Sequence, residues 1–532
     1  MNLISRRGFL TASAIALPFG AIAGPLPPEF RRQEVFDRRR GLAQAELARR
    51  VPAPATNGDE ERYPDRRASF SKTMPHDELG EVDPDAYRTW LDILANGDSA
   101  AFEHVPRAPG AVERLNNPQA AYSIDLLGTD AAALSLRPPP PFAGRTMAAE
   151  MAELYWLALL RDVPFRDFAT QPLAQAAVAD LRAMGFENLD LASLFRGETA
   201  GERSGPLISQ FLWRDIPYGL QTVEQRFRVP SRRQEFLTTF PDWLACQPGA
   251  KARAALYFDP SHRYISSYRE LVEYVHRDFS FQPFMDAALI ILSMGGNRGD
   301  AVLSPTNPYR GSSSQFGDIT LGNKNILTLL AEAALLGQKA SYYHKWQVHR
   351  RARPEVIGGH IDVHLSSRKS YDLDPSILTN EGLARSKSQT GSWLLPQAYP
   401  EGSPTHPAYP AAHAVNAGAC ATVLKAFFDE RYVIPDPVEA APDGGRLDSW
   451  HGADLTLGGE IDKLAANIAL GRDAAGVHFR SDSIQGLKLG EDVALALLAE
   501  TSLTYSEQFD GFVLNRFDGT RMRITKGTVR SS

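Results

Sequence analysis

The chain has 532 residues, of which 43% are hydrophobic and 23% charged, a composition typical of a soluble globular protein of one to three domains. Its formal net charge of −6 provides no global basic surface, so nucleic acid is not predicted as a partner and any anion must be bound by a local cluster of cations. The two cysteines, Cys246 and Cys420, exclude a disulfide framework and a four-cysteine zinc site, and leave one bridge between them open.

Residues 1–23 have the features of an export signal. Arg6 and Arg7 stand together, an apolar run follows, and Ala21-Ile22-Ala23 is typical of a cleavage site. An amphipathic N-terminal helix is the alternative, but the order of these features favours a twin-arginine signal and therefore a periplasmic or secreted protein. No later stretch reaches about 20 uninterrupted apolar residues, so no membrane span is predicted.

The remaining chain is predicted to be mainly α. Residues 24–70 are polar, and we expect a helix over about 30–50 followed by a linker, with one large helical domain over 71–532. Apolar residues recur at helical spacing in six stretches: 144–161, 284–294, 324–337, 414–428, 461–470 and 489–499. Only the C-terminus predicts sheet, because residues 512–524 alternate around Asp518-Gly519, which is a signal for a β-hairpin turn.

Basic residues gather in the second half of the chain. Lys345 and Arg353 are eight residues apart, which is about two helical turns, so both could point from one helix face at a bound oxyanion. Arg472 and His478 follow, six residues apart across a predicted helix end and a turn at Gly476. A run of charges is most often a solvated face, so these cations need further support.

Histidines supply that support. His406 and His413 lie in the proline-punctuated segment SPTHPAYPAAHA, residues 403–414. Taken singly, each histidine is more often a structural residue than a ligand. Taken together, three cations with His413 and His478 suit a tetrahedral oxyanion whose central atom is bonded by one imidazole.

Three segments, in this order, resemble the signature of the vanadium-dependent haloperoxidases, which share their pocket with the type 2 phosphatidic acid phosphatases. They are the Lys345 to Pro354 spacing, residues 403–414, and the Arg472 and His478 pair. Residues 71–83, 152–165 and 467–491 are also similar to the algal vanadium bromoperoxidases, so the resemblance covers nearly all of the mature chain. It implies two four-helix bundles, an active site within 341–482, and a homodimer or larger homo-oligomer.

The resemblance also implies a role for each matching residue. His478 would bond vanadium, and Lys345, Arg353 and Arg472 would neutralise the oxygens of vanadate. His413 would be the acid–base group that takes a proton from hydrogen peroxide. His406 matches a histidine that the bromoperoxidases carry where the chloroperoxidases have phenylalanine, which favours bromide or iodide. The product would be a hypohalous acid equivalent that halogenates an organic acceptor.

One departure from the family pattern weakens the predicted cofactor site. The family has Pro-Ser-Gly-His before the acid–base histidine, whereas this chain has Pro410-Ala411-Ala412-His413. Ala411 lacks the serine hydroxyl, whose charge-assisted hydrogen bond to vanadate would be worth about 1.5–3 kcal/mol. Ala412 adds a methyl group where glycine allows the backbone to approach the oxyanion closely. We expect vanadate binding to be weakened rather than abolished.

Two alternatives to a haloperoxidase stay open on the sequence. An acid phosphatase would use the same pocket with His478 as nucleophile and His413 as proton donor. A vanadium-free homologue would only bind a ligand or perform acid–base chemistry, and Ala411-Ala412 is the feature that favours it. His406 and the long N-terminal half, which a phosphatase does not need, favour the haloperoxidase.

Overall fold

A computed structural model of the protein describes residues 27–199, 201–296 and 300–532. The export signal predicted for residues 1–23 lies outside them. In chain order the described α-helices are α1 (Pro28–Leu47), α2 (Asp59–Arg62), α3 (Pro84–Asn96), α4 (Arg145–Leu160), α5 (Pro172–Met184), α6 (Phe240–Cys246), α7 (Tyr268–Arg277), α8 (Gln282–Met294), α9 (Asn323–Tyr343), α10 (Pro354–Leu365), α11 (Pro375–Leu378), α12 (Glu381–Thr390), α13 (Ala412–Phe427), α14 (Leu457–Ala474) and α15 (Arg480–Thr501).

Each of the six stretches with helical periodicity is a helix, and the helix expected over about 30–50 is α1. A π-helix, His344–His349, continues α9 directly. None of the described helices is both long enough and apolar enough to cross a bilayer. The mainly α fold class is therefore confirmed, whereas the predicted boundary at residue 70 stays a prediction.

Two groups of four helices form the two predicted bundles. In the first, α4 packs against α5, α11 and α12. In the second, α13 packs against α9, α14 and α15, and nearly all of its side chains are buried. Glycines permit the closest crossing, since a Cβ on Gly490 of α15 would stand 1.9 Å from the carbonyl oxygen of Val415 in α13. The backbones of α13 and α15 thus meet directly, and their relative position is fixed.

The direction of the helices in the second bundle decides where the site lies. Gly337, late in α9, lies against Val415, early in α13. Lys425, late in α13, forms an ion pair of 2.9 Å with Asp462, early in α14. The helices therefore run alternately up and down, so α9 and α14 end where α13 and α15 begin. All three sequence motifs lie at this end of the bundle.

Local sequence explains where α14 begins and where it ends. Its N-cap, Thr456, accepts a hydrogen bond from the backbone N–H of Gly459 at 3.3 Å. After Ala474 the chain turns at Gly476, whose φ of +83° is costly for residues other than glycine. A Cβ there would also stand 2.7 Å from Nε2 of Gln397. This turn sets the path from Arg472 to His478.

The prediction that only the C-terminus forms sheet is wrong. The expected hairpin is present and carries a third strand, and three two-stranded antiparallel sheets precede it. The strands are β1 (Ile216–Tyr218), β2 (Gln221–Val223), β3 (Phe227–Pro230), β4 (Phe258–Arg263), β5 (Val438–Ala440), β6 (Leu447–Ser449), β7 (Phe512–Asn515), β8 (Arg521–Thr525) and β9 (Thr528–Ser531). Most of the early strands have only three or four residues, too few for alternation to be visible in the sequence.

The two cysteines belong to separate apolar clusters. Cys420 lies in α13 within the main core, and Cys246 lies in a small cluster around Trp243. Both are buried and free. The single bridge that the sequence left open is not formed.

Candidate active site

Lys345 and Arg353 do not share a helix, contrary to the sequence interpretation. Lys345 lies in the π-helix after α9, which ends at Arg350 with a left-handed φ of 36°. Arg353 is the residue before α10, whose first residue is Pro354. The chain therefore reverses between the two cations, and each reaches the site from its own helix terminus.

Both cations bind the segment 406–408 through its backbone. Nζ of Lys345 donates to the carbonyls of Pro407 at 2.6 Å and Ala408 at 3.0 Å. Nε of Arg353 donates to the carbonyl of His406 at 2.9 Å. These bonds hold the two cations side by side and leave their charge uncompensated, because carbonyls carry no net charge.

Arg472 reaches the site from the last turn of α14. One of its terminal nitrogens donates to the carbonyl of Val275 at 2.9 Å and to the hydroxyl of Tyr399 at 3.2 Å. Its Nε is buried and has no hydrogen-bond partner among the described residues. This N–H is therefore available to an acceptor atom of a ligand.

The three cations form a buried positive cluster. Lys345 and Arg353 have no exposed surface and Arg472 is 4% exposed, yet in the described part of the chain none of them forms an ion pair with a carboxylate. Burial, followed by the neighbouring cations, lowers the pKa of Lys345 well below its ordinary value. Burial likewise lowers the pKa of Arg353. An anion among these groups would favour their charged forms and raise both pKa values again.

His478 presents a lone pair to this cluster. Its Nδ1 lies 3.0 Å from a carboxylate oxygen of Asp482, which only accepts hydrogen bonds, so the proton is assigned to Nδ1. Nε2 is then an acceptor, and it receives a hydrogen bond from Arg353 at 2.8 Å. Burial, then Arg353, Lys345 and the other cations, lower the pKa of His478 far below its ordinary value. The imidazole is therefore neutral, as a metal ligand must be.

Asp482 links this histidine to a buried ionic network. Its second carboxylate oxygen accepts from Arg351 at 2.6 Å, and Arg351 also pairs with Glu150 at 3.2 Å. The guanidinium of Arg351 lies 3.9 Å from the ring centroid of Phe479, next to His478. Asp482 is thus fixed on both sides, and it fixes the imidazole orientation and tautomer of His478.

His413 lies in the first turn of α13, and its side chain is 29% exposed. Its Nε2 lies 3.0 Å from Oδ1 of Asp278, the C-cap residue of α7. The same reasoning assigns the proton to Nε2, so Nδ1 carries a lone pair. Electrostatic interaction of His413 with His478 places it in the same site. The arrangement suits a base that is partly open to solvent.

His406 is buried behind Arg353. Its Nδ1 lies 2.9 Å from a terminal nitrogen of Arg353 and 3.2 Å from the carbonyl of Pro407. Because a guanidinium can only donate, Nδ1 is the acceptor, and the carbonyl contact is not a hydrogen bond. Burial, followed by Lys345 and Arg353, lowers the pKa of His406 well below its ordinary value. His406 is therefore a neutral side chain that orients Arg353.

Ala411 and Ala412 form the start of α13. Ala411 is the N-cap, without any side-chain cap, and its N–H donates to the carbonyl of Asp482 at 3.1 Å. The methyl of Ala412 belongs to an apolar cluster with Phe70 and Trp346. This corrects the expectation that the methyl crowds the oxyanion, because the extra carbon packs into the core.

The structure thus brings all the sequence-predicted site residues to one end of the second bundle. Their cofactor and catalytic roles stay predictions. The sequence reasoning missed three residues that orient them: Asp278, Asp482 and Tyr399. Asp482 follows His478 by four residues, and that carboxylate was a visible signal, whereas the other two carry no local pattern that points to the site.

The cluster is suited to an anion rather than to a bare metal cation. Across the described ranges, there is no group of three or more His, Cys, Asp or Glu side chains that could hold a metal ion. Among the described residues, the carboxylates hydrogen-bonded to groups of the site are those of Asp482 and Asp278, which bind His478 and His413. One neutral imidazole with three cations fits a metal that arrives as an oxyanion, whose oxygens the cations would bind.

Comparisons with known proteins agree on one family. A model described as the VCPO second helical-bundle domain matches residues 384–506. A vanadium-dependent bromoperoxidase of Ascophyllum nodosum is 36% identical, over 93% of this chain and 94% of that protein. A vanadium-dependent bromoperoxidase of Corallina officinalis is 31% identical, over 93% of this chain and 98% of its own length. The homohexameric structure of the second vanadate-dependent bromoperoxidase from Ascophyllum nodosum superimposes with a TM-score of 0.89 and 29% identity, covering 98% of this chain and 94% of that one.

Replacing Asp482 by asparagine tests the role of the carboxylate behind His478. An amide accepts less strongly and can invert the tautomer, so we expect affinity for orthovanadate to fall roughly ten- to hundredfold. Equilibrium titration of the purified apo-protein measures this. Asp492→Asn is the matched control, since Asp492 lies on the same helix and pairs with Arg516 at 2.6 Å away from the site. Equal affinities in the two variants, both folded by circular dichroism, would contradict the assignment.

Proposed function

Because the chain belongs to the vanadium-dependent bromoperoxidase family, as its sequence predicted, we propose that it binds vanadate and oxidises bromide with hydrogen peroxide to a hypobromous acid equivalent. That product would halogenate an organic acceptor. The observation that carries the proposal is the buried cluster of Lys345, Arg353 and Arg472, which forms no ion pair with a carboxylate among the described residues. Within it, Nε2 of His478 is unprotonated and accepts a hydrogen bond only from Arg353, one of the cations that would turn to the anion. Such a cluster has a high affinity for an oxyanion.

The residues present fit vanadate. Nε2 of His478 would bond the vanadium, and the three cations would neutralise the oxygens, with the orphaned Nε of Arg472 as one available donor. Bound vanadium(V) supplies a Lewis acid that polarises peroxide for attack by halide. Burial of the cations strengthens their attraction for the anion, since little water screens them.

His413 would move the proton of hydrogen peroxide. Its Nε2–H is held by Asp278 at 3.0 Å, which leaves Nδ1 as the acceptor. When Nδ1 takes a proton, the adjacent Asp278 stabilises the imidazolium, and the same group can return the proton to the oxygen that leaves. The partial exposure of His413 allows peroxide to reach it from solvent.

The choice of halide would depend on His406. It holds Arg353 through Nδ1, and its ring lies 5.7 Å from that of Tyr342. This side chain supports bromide or iodide rather than chloride as substrate, by its match to the histidine of the bromoperoxidases. Comparing kcat/KM for the three halides tests the assignment, and a preference for chloride would contradict it.

We also propose that the protein is a homo-oligomer. The support is the homohexameric Ascophyllum structure, which covers 98% of this chain. A dimer and a larger assembly are both consistent with the sequence resemblance, and sedimentation of the purified protein distinguishes them from a monomer.

We also propose that the protein is exported by the twin-arginine route. The support is the order of Arg6, Arg7, the apolar run and the Ala21-Ile22-Ala23 site in the sequence. Replacing both arginines by lysine should retain the protein in the cytoplasm, as measured by cell fractionation. Export of that variant at the wild-type level would exclude the twin-arginine route.

Two histidine variants test the division of roles. His478→Ala should abolish vanadate binding, because it removes the bond from protein to metal. His413→Ala should bind vanadate but lose roughly 10² to 10⁴ in bromination rate, the usual size of acid–base help. Vanadium content and bromination of the purified proteins are measured together, with His262→Ala on exposed β4 as control. Stoichiometric vanadium in His478→Ala, or full turnover in His413→Ala, would refute the corresponding role.

The departure at Ala411 and Ala412 gives a gain-of-function test. Ala411→Ser with Ala412→Gly should tighten vanadate binding by about 1.5–3 kcal/mol, because a hydroxyl donor is added. Bromination should rise at limiting vanadate. Since the structure packs the Ala412 methyl into the core, Ala411→Ser alone should give the same gain.

The matched control separates this gain from simple helix capping. Gln171 is the N-cap of α5 and also lacks a side-chain cap, so Gln171→Ser should stabilise the fold by about 0.5–2 kcal/mol without changing affinity. If the serine and double variants gain stability but no affinity, the pocket serves something other than vanadate. That result would favour the vanadium-free alternative.

A further inference from the structure

The position of Arg472 depends on a tyrosine that no sequence motif contains. Tyr399 is 1% exposed, and its hydroxyl receives a hydrogen bond from Arg472 at 3.2 Å. That hydroxyl donates in turn to the carbonyl of Val272 at 2.6 Å, while Arg472 donates to the carbonyl of Val275 at 2.9 Å. Val275 lies in the last turn of α7, at the negative end of the helix dipole, and Val272 lies three residues before it. Arg472 is thus held jointly by Tyr399 and α7.

His276 lies flat against the ring of Tyr399. The two ring centroids are 3.8 Å apart and the planes are inclined by 16°. Nε2 of His276 lies 2.7 Å from a carboxylate oxygen of Glu401, and Nδ1 lies 3.3 Å from one of Glu273. Ionised carboxylates only accept hydrogen bonds, so both ring nitrogens carry a proton in this arrangement. His276 is therefore an imidazolium stacked on the tyrosine that holds Arg472.

We infer that His276 is a positioning residue of the oxyanion site, and that its imidazolium form holds Tyr399, and through it Arg472, where the oxyanion binds. The inference rests on the proposed function, because the ligand is the anion bound by Arg472. Loss of the proton breaks one of the two carboxylate bonds and loosens the stack. It also leaves one more uncompensated negative charge beside the site. Both effects weaken anion binding.

The charged groups around His276 favour the imidazolium. His276 interacts with Glu273 of α7, with Tyr399 and Glu401 of the segment between α12 and α13, and with Arg472 of α14. Three further charged groups act on these neighbours: Arg277 on Glu273, Asp278 on Tyr399, and Lys72 on the backbone of Glu401. Burial lowers the pKa of His276, but the hydrogen bonds to Glu273 and Glu401 outweigh burial and the repulsion by Arg472. The pKa of His276 therefore lies above its ordinary value.

The sign of the pH effect follows from that direction. A raised pKa means that the imidazolium interactions are fully present below the ordinary histidine value of about 6.5. They are lost as the pH rises through the folded-state pKa. The site should thus lose affinity for its anion on the alkaline side of ordinary histidine titration, in addition to any change in the anion itself.

The first experiment compares orthovanadate affinity of apo wild type and His276→Gln between about pH 6 and pH 9. A single charge near the site is worth roughly three- to tenfold in affinity. We expect wild type to bind more tightly by this factor at the acid end, and the ratio of the two dissociation constants to fall towards one as the pH rises. Titration of vanadate itself occurs with both proteins and cancels in the ratio. His262→Gln, on exposed β4, is the matched control.

A second experiment needs only the wild type. Linkage is reciprocal, so if the His276 proton tightens anion binding, the anion must raise the proton affinity of His276 by the same three- to tenfold. Histidine ring resonances of labelled protein, titrated with and without orthovanadate, measure this. A constant ratio in the first experiment or an unchanged midpoint in the second would overturn the inference.

Failure of the role inferred for His276 can be distinguished from failure of the proposed function. If wild type binds vanadate and brominates, a constant ratio refutes only the role of His276. If wild type binds no vanadate, the proposed function fails. Orthophosphate then replaces vanadate as the probe in both experiments, because the same cations would bind it, and the same pH dependence is expected.

Discussion

Buried positive charge that no ion pair with a described carboxylate compensates is the constraint on which the rest of this site depends. Burial of an unpaired cation is unfavourable, and here three such side chains lie together. Their hydrogen-bond partners are uncharged: backbone carbonyls, such as those of His406 and Pro407, and the side chains of two histidines and a tyrosine. Carbonyl dipoles partly solvate the cations but leave their net charge free. The fold therefore maintains a positive electrostatic potential at this site, which favours binding of an anion.

Helix termini hold these groups in place. At one end of the second bundle, α9 and α14 end while α13 and α15 begin, so loops rather than helix faces converge there. The C-terminus of α7, outside the bundle, contributes the carbonyl of Val275 that binds Arg472 and the carboxylate of Asp278 that binds His413. One helix end thus positions both an anion-binding cation and the proposed base. A shift of α7 would affect binding and proton transfer together.

Periodicity in the sequence predicted the helices that build the second bundle, and Gly476 predicted the turn between Arg472 and His478. The sequence pattern could not predict the chain reversal after Lys345, because the π-helix and the left-handed conformation of Arg350 depend on tertiary packing. Asp278 contacts a histidine 135 residues away, so no local spacing reveals it. The residues proposed to bind the anion were readable from motifs. Several of the residues that orient them come from elements the motifs do not include.

The carboxylates of the site are placed behind the histidines, and this placement has a physical reason. A carboxylate bonded directly to Lys345 or Arg353 would neutralise the cluster and compete with the anion for the same donors. Bonded instead to Nδ1 of His478 and Nε2 of His413, Asp482 and Asp278 each fix a tautomer and direct a lone pair away from themselves. Asp482 also forms an ion pair with Arg351, which compensates much of its negative charge and so reduces its repulsion of the anion. The site can therefore keep the neutral imidazole proposed to bind the metal and the proposed base without losing the positive field that would bind the oxyanion.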